Sequence, residues 1–350
     1  MRKWIAPALL MLFNMLFHSA LHAADALTAD TLTETKVAPA NNQAEARKAD
    51  TTPVPSWLKN SFYWLEHERD MLANQVTSTA TGLDQYISRD SFKGDVINHS
   101  YVKLGFNHSF STGFDEQTSA SIKARIDVPN SKDKLQIFFD SEPDDYEGIT
   151  NRRRDTTGND ISRKSDNAVF GVAILDNTLK NWRPSLNLGV RLKIPLDPYL
   201  KASLRRNDQL SELWMSRLDF SGSHYDSKGW RAGAEYDVYR PVNDKDIFRI
   251  SNEAEYIDRE NTWEYYHGYS YYQKLSSSSL EYSFSIAAAS QPNQQITAYW
   301  TRLTWRKPLY EDWLFGKIVP EISFPRTRDF ADTYAIFFEL EIFIGQHYIP

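Results

Sequence analysis

The chain has 350 residues, no cysteine, and a formal net charge of −6 from 40 Lys and Arg against 46 Asp and Glu. The lack of cysteine excludes disulfides and thiol chemistry, and the acidic balance offers no basic surface for nucleic acid. Aromatic residues make up 14% of the chain, including 10 Trp and 19 Tyr. This content is typical of proteins with aromatic belts at a membrane interface, although large soluble β-sandwiches share it.

The first 23 residues have the pattern of a secretory signal peptide. Arg2 and Lys3 precede an apolar stretch at 4–17, and a short tail of mostly small or mildly polar residues ends at Ala23. The apolar stretch is interrupted and is shorter than the roughly 20 residues that a membrane-spanning helix needs. Cleavage near Ala23 is therefore favoured over a membrane anchor.

Two segments are predicted between the signal peptide and the remainder of the chain. Residues 24–54 are rich in Ala, Thr, Asp, Asn and Pro without any aromatic residue, which predicts a disordered periplasmic linker. Residues 55–90 predict an amphipathic helical segment with Ser56 as a candidate N-cap. This segment could pack at the periplasmic mouth of a barrel, enter its lumen as a plug, or lie on the membrane surface, and packing at the mouth or surface is favoured over a plug.

From residue 96 to residue 345 the sequence repeats stretches of alternating apolar and polar residues, each followed by a short turn. The stretch 186–194, LNLGVRLKI, is one example. A period of two places the two sets of side chains on opposite faces of a strand. No helical segment accompanies the repeats to cover the apolar face, so lipid is its natural solvent. The predicted fold class is all-β, an antiparallel transmembrane β-barrel with a short N-terminal amphipathic helix.

Fourteen strands are predicted, with twelve as the alternative because the third and fourth strands have the weakest pattern. The predicted strands are 97–111, 117–128, 133–141, 166–176, 182–194, 198–206, 211–223, 228–240, 245–257, 262–274, 277–289, 293–306, 311–323 and 331–345. An even number returns both ends of the barrel to one side of the membrane. If that side is the periplasm, the longest connection, at about 142–165, lies outside the cell and the periplasmic connections are short.

Four phrases of the sequence carry a resemblance to a known family. They are SWLKNSFYWLEHERD at 56–70, KLQIFFDSEPDD at 134–145, SLNLGVRLKIPLDPYLKASLRR at 185–206 and YEDWLFGKIVPEISFPR at 310–326. In these phrases the segment from about 57 to 345 resembles a family of uncharacterised proteobacterial outer-membrane β-barrel proteins. The resemblance implies a barrel in the outer membrane and carries over no catalytic residue.

Charged residues on the polar faces of the predicted strands are the candidate lumen-facing residues. They are Lys103, Lys123, Arg125, Arg191, Lys193, Arg205, Arg217, Arg231, Glu235, Arg249, Glu253, Glu255, Glu281, Arg302, Glu339 and Glu341. In a lumen these side chains would either line an aqueous channel or pair across strands and fill the interior, and the pattern favours neither outcome. Arg191, Arg217 and Arg231 are expected on neighbouring parts of one wall, where they either select anions or pair with nearby glutamates.

The long third connection contains an acidic run followed by three arginines. The acidic residues are Asp140, Glu142, Asp144, Asp145 and Glu147, and the arginines are Arg152, Arg153 and Arg154. Oxygen clusters can bind Ca²⁺ and arginines can pair with lipid phosphates, but the spacing matches no defined calcium loop. A solvated, flexible loop is the favoured interpretation.

Two sequences place a histidine near a serine, as an outer-membrane hydrolase would require: His108 before Ser109, and His267 three residues before Ser270. Residues at i and i+1, or at i and i+3, point to opposite faces of a strand, so neither pair can form a catalytic dyad locally. No glycine-rich phosphate loop, zinc-ligand spacing or dinucleotide fingerprint is present. The chain is therefore not expected to be an enzyme, and no cofactor or metal is predicted.

The sequence as a whole predicts a protein of the Gram-negative outer membrane. The favoured function is a channel or transporter for small solutes of unidentified kind. A non-conducting barrel with a structural or envelope-integrity role is the alternative, and an outer-membrane lipid hydrolase is less favoured. The expected partners are outer-membrane lipid and the barrel assembly machinery, with no nucleic acid.

Overall fold

The computed structural model describes residues 73, 100–128, 135–143, 147–154, 168–175 and 181–345. These residues contain fourteen strands, which are β1 (Tyr101–Ser111), β2 (Phe114–Val128), β3 (Leu135–Asp140), β4 (Val169–Leu175), β5 (Trp182–Arg191), β6 (Asp197–Gln209), β7 (Met215–Tyr225), β8 (Gly229–Pro241), β9 (Asp246–Ile257), β10 (Thr262–Lys274), β11 (Ser279–Ala289), β12 (Gln295–Tyr310), β13 (Leu314–Pro325) and β14 (Thr333–Ile344). A short helix, α1 (Ile149–Arg154), lies between β3 and β4, and a 3-10 turn (Arg326–Arg328) lies between β13 and β14.

The strands form one closed antiparallel barrel. Each strand pairs with the next along the chain, and β1 pairs with β14, so no strand edge is left unpaired. The prediction of fourteen strands is confirmed, and the alternative of twelve is wrong. The two strands with the weakest sequence pattern, β3 and β4, are the shortest, with 6 and 7 residues.

The fifth strand ends earlier than the alternation predicts. It stops at Arg191, which pairs with Asp197 at the start of β6. Pro195 lies between them and has no N–H to donate to a sheet ladder, which suits a turn. Lys193 therefore lies in the β5–β6 turn instead of on a strand.

The fourteen strands define two ends of the barrel. We call the end where β1 begins and β14 finishes the terminal end, and the end that carries the β3–β4 connection the loop end. The β3–β4 connection, from 141 to 168, is the longest, and the other connections are short at both ends. The predicted difference in connection length between the two ends therefore depends on this one connection.

The two faces of the barrel wall differ in residue type and in exposure. Leu104 is directly paired with Ile122 on the outer face, and Leu188 on the same face is 47% exposed. Arg191 and Arg231, on the inner face, are each only 6% exposed. An exposed apolar wall around a buried charged interior is the reverse of a soluble fold and matches a barrel surrounded by lipid.

Aromatic side chains on the outer face lie near both ends of the barrel. Trp230 and Trp263 are the second residues of β8 and β10 at the loop end, and both are exposed. Trp182 on β5 and Trp305 on β12 lie toward the terminal end. Two aromatic girdles separated by an apolar band are characteristic of barrels that cross a membrane.

In the described part of the chain, no helix is long and apolar enough to cross a membrane.

Most of the predicted N-terminal organisation lies outside the described residues. This applies to the signal peptide at 1–23, the linker at 24–54, and every residue of the 55–90 segment except Ala73. Ala73 is helical and 2% exposed, and it belongs to a buried cluster with Trp313 and Leu314 at the terminal end.

Candidate functional site

Helix α1 lies inside the barrel, against the wall opposite the strands that it connects. The Oγ1 atom of Thr150 is 3.1 Å from that of Thr297 on β12, and the backbone N–H of Ile149 donates a hydrogen bond to Glu264 on β10. Ile149 is fully buried in a cluster that contains Trp300. The β3–β4 connection therefore folds inward and places α1 within the lumen.

Ion pairs hold α1 against β8 and β9. Glu235 and Glu253 lie directly opposite each other on these strands, and like charges in that position repel. Arg153 is 2.7 Å from a carboxylate oxygen of each, which cancels the repulsion. Arg152 pairs with Glu253 and lies 3.5 Å from Glu255. We call these five residues the α1 cluster.

The expectation of a solvated loop is therefore wrong for residues 147–154. The physical reason is the concentration of carboxylates on β8 and β9, which attracts the arginines of the connection. Burial by itself lowers the pKa of Arg153, but the carboxylates of Glu253 and Glu235 outweigh it and raise the pKa above its ordinary value. Arg153 therefore carries its positive charge at neutral pH.

The described members of the acidic run in the same connection do not gather at one point. Asp140 pairs with Lys123 at 2.9 Å, and the backbone oxygen of Glu147 accepts a hydrogen bond from Arg231. Asp144 and Asp145 lie outside the described residues. Among the residues that the structure does describe, no group of three or more acidic or histidine side chains could hold a metal ion.

A second ion-pair network lies on the interior wall near the terminal end, and we call it the Glu341 network. Glu341 is 2% exposed and pairs with Lys103, with Lys317 at 2.9 Å and with Arg306 at 3.2 Å. Glu339 shares Lys317 at 3.0 Å. This network links β12, β13, β14 and β1, so it lies across the seam where the barrel closes.

The three arginines that were candidates for anion selection are all paired. The pairs are Arg191 with Asp197 at 3.3 Å, Arg217 with Asp237 at 2.7 Å, and Arg231 with Glu255 at 3.8 Å. Arg217 also lies 3.4 Å from Glu235. The sequence left open whether these arginines are free to select anions or pair with glutamates. They are paired, but Arg191 and Arg217 lie closest to aspartates instead of glutamates.

The remaining candidate residues also lie on the inner face or at its rim. Their contacts are Arg125 with Gln136 at 3.0 Å, Lys193 with Asp197 at 3.2 Å, Arg249 with Glu281 at 3.5 Å, and Arg302 with Glu321 at 2.6 Å. The carboxylates of Asp197, Asp237 and Glu321 were not among the candidates. Strand alternation places Asp237 and Glu321 on the inner face and was the signal that could have found them.

Sequence analysis also missed Arg183, which lies on the inner face of β5 directly opposite Arg205 on β6. Arg205 contacts Asp219 at 2.6 Å, and 51% of its side chain remains exposed. Arg183 is exposed and forms no ion pair within the described residues. This part of the interior differs from the paired wall of β8 to β14.

The two His–Ser sequences do not form dyads. His108 lies on the outer face, with its Nδ1 2.8 Å from the hydroxyl of Thr118, whereas Ser109 is on the inner face. His267 on the outer face contacts Asn252 at 2.7 Å, while Ser270 on the inner face lies 3.4 Å from Arg249. In both pairs the histidine and the serine therefore point to opposite faces of the strand, as the sequence predicted.

A closed antiparallel barrel with an apolar outer wall, aromatic girdles and a charged interior is the architecture of a transmembrane β-barrel. The sequence matches no protein-family model and none of the curated proteins. The resemblance to an outer-membrane family therefore stays a prediction at the level of the particular family.

Several solved structures of outer-membrane proteins are similar to this chain. One is a loop L8 deletion mutant of OmpT, an outer membrane protein of Vibrio cholerae, with 8% identity and a TM-score of 0.47 over 71% of this chain and 99% of that chain. OccK11 (OpdR) of Pseudomonas aeruginosa has 8% identity and a TM-score of 0.42 over 73% and 100% of the two chains. The outer membrane channel DcaP of Acinetobacter baumannii has 7% identity and a TM-score of 0.41 over 72% and 99%. Similarity at this level carries no information about what this chain does.

Proposed function

We propose that this chain is an outer-membrane channel for small solutes whose lumen is narrowed by α1. The observation that carries the proposal is the inward position of α1, which lies along the wall of β8 to β12. The wall of β5 and β6, which is separated from β8 by β7, carries the exposed arginines Arg183 and Arg205. Exposed charges inside a barrel need water around them, so a water-filled path is expected beside α1.

The size of the barrel supports the same proposal. Barrels of about 8 strands fill their interior with side chains, whereas barrels of about 16–18 strands leave an aqueous channel. Fourteen strands lie between these cases. An inserted six-residue helix then reduces the lumen without having to fill it.

The apolar outer wall and the aromatic girdles support a location in the outer membrane, with lipid around the barrel. The predicted signal peptide supports export to the periplasm, from which the barrel assembly machinery would insert the chain. A chain inserted from the periplasm would have the terminal end of its barrel facing the periplasm and the loop end facing the exterior.

A non-conducting structural barrel is the second candidate function. The α1 cluster and the Glu341 network favour it, because paired charges of both signs cross-link the interior over strands β8 to β1. If paired side chains also closed the wall of β5 to β7, the barrel would stabilise the envelope without passing solutes.

Solute uptake by liposomes distinguishes these two functions. Liposomes that contain the refolded chain should swell in neutral sugars and amino acids, with rates that fall as the solute grows. Protein-free liposomes, and liposomes with heat-denatured chain, provide the controls. Swelling no faster than in these controls, with a folded barrel present, would refute the channel in favour of the structural role.

A further inference from the structure

Arg183 and Arg205 place two positive charges side by side on the interior wall. Directly opposed residues of antiparallel strands have Cβ atoms about 4.5–5.5 Å apart, and like charges at that distance destabilise the sheet. Asp219 supplies one carboxylate, at 2.6 Å from the Nε of Arg205. Two guanidinium groups and one carboxylate leave this position with an excess positive charge.

Two other pairs of opposed like charges in the barrel are neutralised by the chain itself. Lys103 and Lys123 are opposed on β1 and β2, and each has its own carboxylate, Glu341 for the first and Asp140 for the second. The opposed glutamates of β8 and β9 are bridged by Arg153. Among the described residues, the pair of Arg183 with Arg205 lacks an equivalent counter-ion for one of its members.

Further hydrogen-bond donors surround the pair on the same face. One row toward the loop end, the hydroxyls of Ser185 and Ser203 lie 2.6 Å apart. One row toward the terminal end, Asn207 is paired with Arg217. Arg217 itself is already held by Asp237 at 2.7 Å and lies 3.4 Å from Glu235. Serine and asparagine side chains, which can donate hydrogen bonds to an anion, therefore flank the two arginines on this wall.

We propose that Arg183 and Arg205 bind a carboxylate or phosphate group of a small multivalent anion in the lumen near the terminal end. A planar guanidinium group can donate two parallel hydrogen bonds to two oxygens of a carboxylate or phosphate. The two opposed arginines can therefore each bind a different oxygen of one anion, or one arginine can bind two oxygens. This inference rests on the proposed channel and names its substrate class, which is anionic solutes in preference to neutral or cationic ones.

The test is citrate binding to the full-length barrel in detergent at low salt, measured by isothermal titration calorimetry and repeated with inorganic phosphate. Wild type should bind at least one of the two anions, and affinity should fall as salt rises because ions screen the attraction. Arg183→Gln should weaken binding by about tenfold or more, as expected for the loss of a charged hydrogen bond. Arg206→Gln should bind like wild type, because Arg206 lies next to Arg205 on the same strand but on the outer face.

Thermal unfolding of the same variants separates loss of the site from loss of the fold. Arg183→Gln removes repulsion and breaks no ion pair, so its unfolding temperature without ligand should equal or exceed that of wild type. Absence of citrate and phosphate binding by wild type, or binding by Arg183→Gln equal to wild type, would overturn the inference. So would equal weakening in Arg206→Gln.

Conductance in potassium chloride distinguishes failure of the site from failure of the channel. A barrel that conducts but binds neither anion overturns the anion site and leaves the proposed channel intact. A barrel that binds citrate through Arg183 but does not conduct overturns the channel and leaves the anion site.

Discussion

Glu253 is the residue on which the position of α1 depends most directly. Its carboxylate pairs with both Arg152 and Arg153, and only 9% of its side chain is exposed. A buried ion pair costs free energy to desolvate, and removing one partner leaves the other charge buried without compensation. Arg152 and Arg153 each have a second carboxylate, at 3.5 Å and 2.7 Å respectively, but both share Glu253. Loss of this glutamate therefore weakens both attachments of α1 at once.

Glu253→Gln should lower the free energy of unfolding by roughly 3 kcal/mol, because it leaves two partly buried guanidinium groups short of a carboxylate. Glu281→Gln is the matched control, since its side chain is 36% exposed and its partner Arg249 lies at 3.5 Å. Urea unfolding in liposomes should show less than about 1 kcal/mol for this control. Equal decreases in the free energy of unfolding for the two variants would show that the α1 cluster stabilises the barrel no more than an exposed ion pair does.

Substitutions at neighbouring residues of β5 test which face meets lipid. Leu186 lies on the outer face near the middle of β5, and Asn187 lies on the inner face. Leu186→Arg should cost roughly 2–4 kcal/mol if it enters the hydrocarbon, whereas Asn187→Arg enters the lumen and should cost much less. Urea unfolding in liposomes measures both. A larger loss for Asn187→Arg would show that the two faces are exchanged.

At the scale of elements, α1 is the segment that lies inside the barrel and narrows the proposed channel. It has only six residues, so its helical conformation depends on contacts with the wall more than on its own propensity. Those contacts involve strands about 100 residues away along the chain. The helix is therefore a tertiary feature of the barrel, held in place by contacts with the strand wall.

The absence of native cysteine allows a direct test of where α1 lies. Thr150→Cys with Thr297→Cys should form a disulfide on mild oxidation, because the hydroxyl oxygens of the two threonines are 3.1 Å apart. A gel-mobility shift that dithiothreitol reverses would detect the bond. Thr150→Cys with Ser203→Cys, on the far wall, is the control and should not cross-link. Cross-linking of the control alone would show that α1 lies against the wall of β6 and not against β12.

The strands were predictable from sequence because a period of two is a local signal. The prediction for β10 matches its observed bounds at both ends, and errors elsewhere arise at turns, as at Lys193. The contacts of Arg152 with Glu253 could not be predicted, because nothing near either residue in the sequence indicates its partner. The charges were identified, but their pairing depends on which strands face each other across a closed barrel.

At the scale of the whole molecule, closure by β1 and β14 removes every free strand edge. In a membrane an unpaired backbone N–H or C=O has no water to bind, so partial opening of the barrel is costly. The Glu341 network adds ion pairs across this seam. Together these features predict a barrel that opens cooperatively and only under strong denaturing conditions.

Gel electrophoresis in SDS measures this closure. The unheated barrel should resist SDS and migrate differently from a boiled sample. A closed sheet has no unpaired edge strand at which the detergent could begin to disrupt the hydrogen bonds between strands. Substitution of Glu341 by Gln should lower the temperature at which the two bands interconvert. Identical migration before and after boiling, together with solubility in the absence of detergent, would contradict the membrane-barrel account.

Single-channel conductance of the refolded chain in a planar lipid bilayer tests the central claim most directly. The account predicts discrete openings for wild type, and larger or more variable openings for the combined variant Arg152→Gln and Arg153→Gln, in which α1 loses its ion pairs. Heat-modifiable gel migration of both proteins establishes that each is folded. If both folded proteins remain silent across a range of voltages, the interior does not conduct and α1 does not narrow a channel.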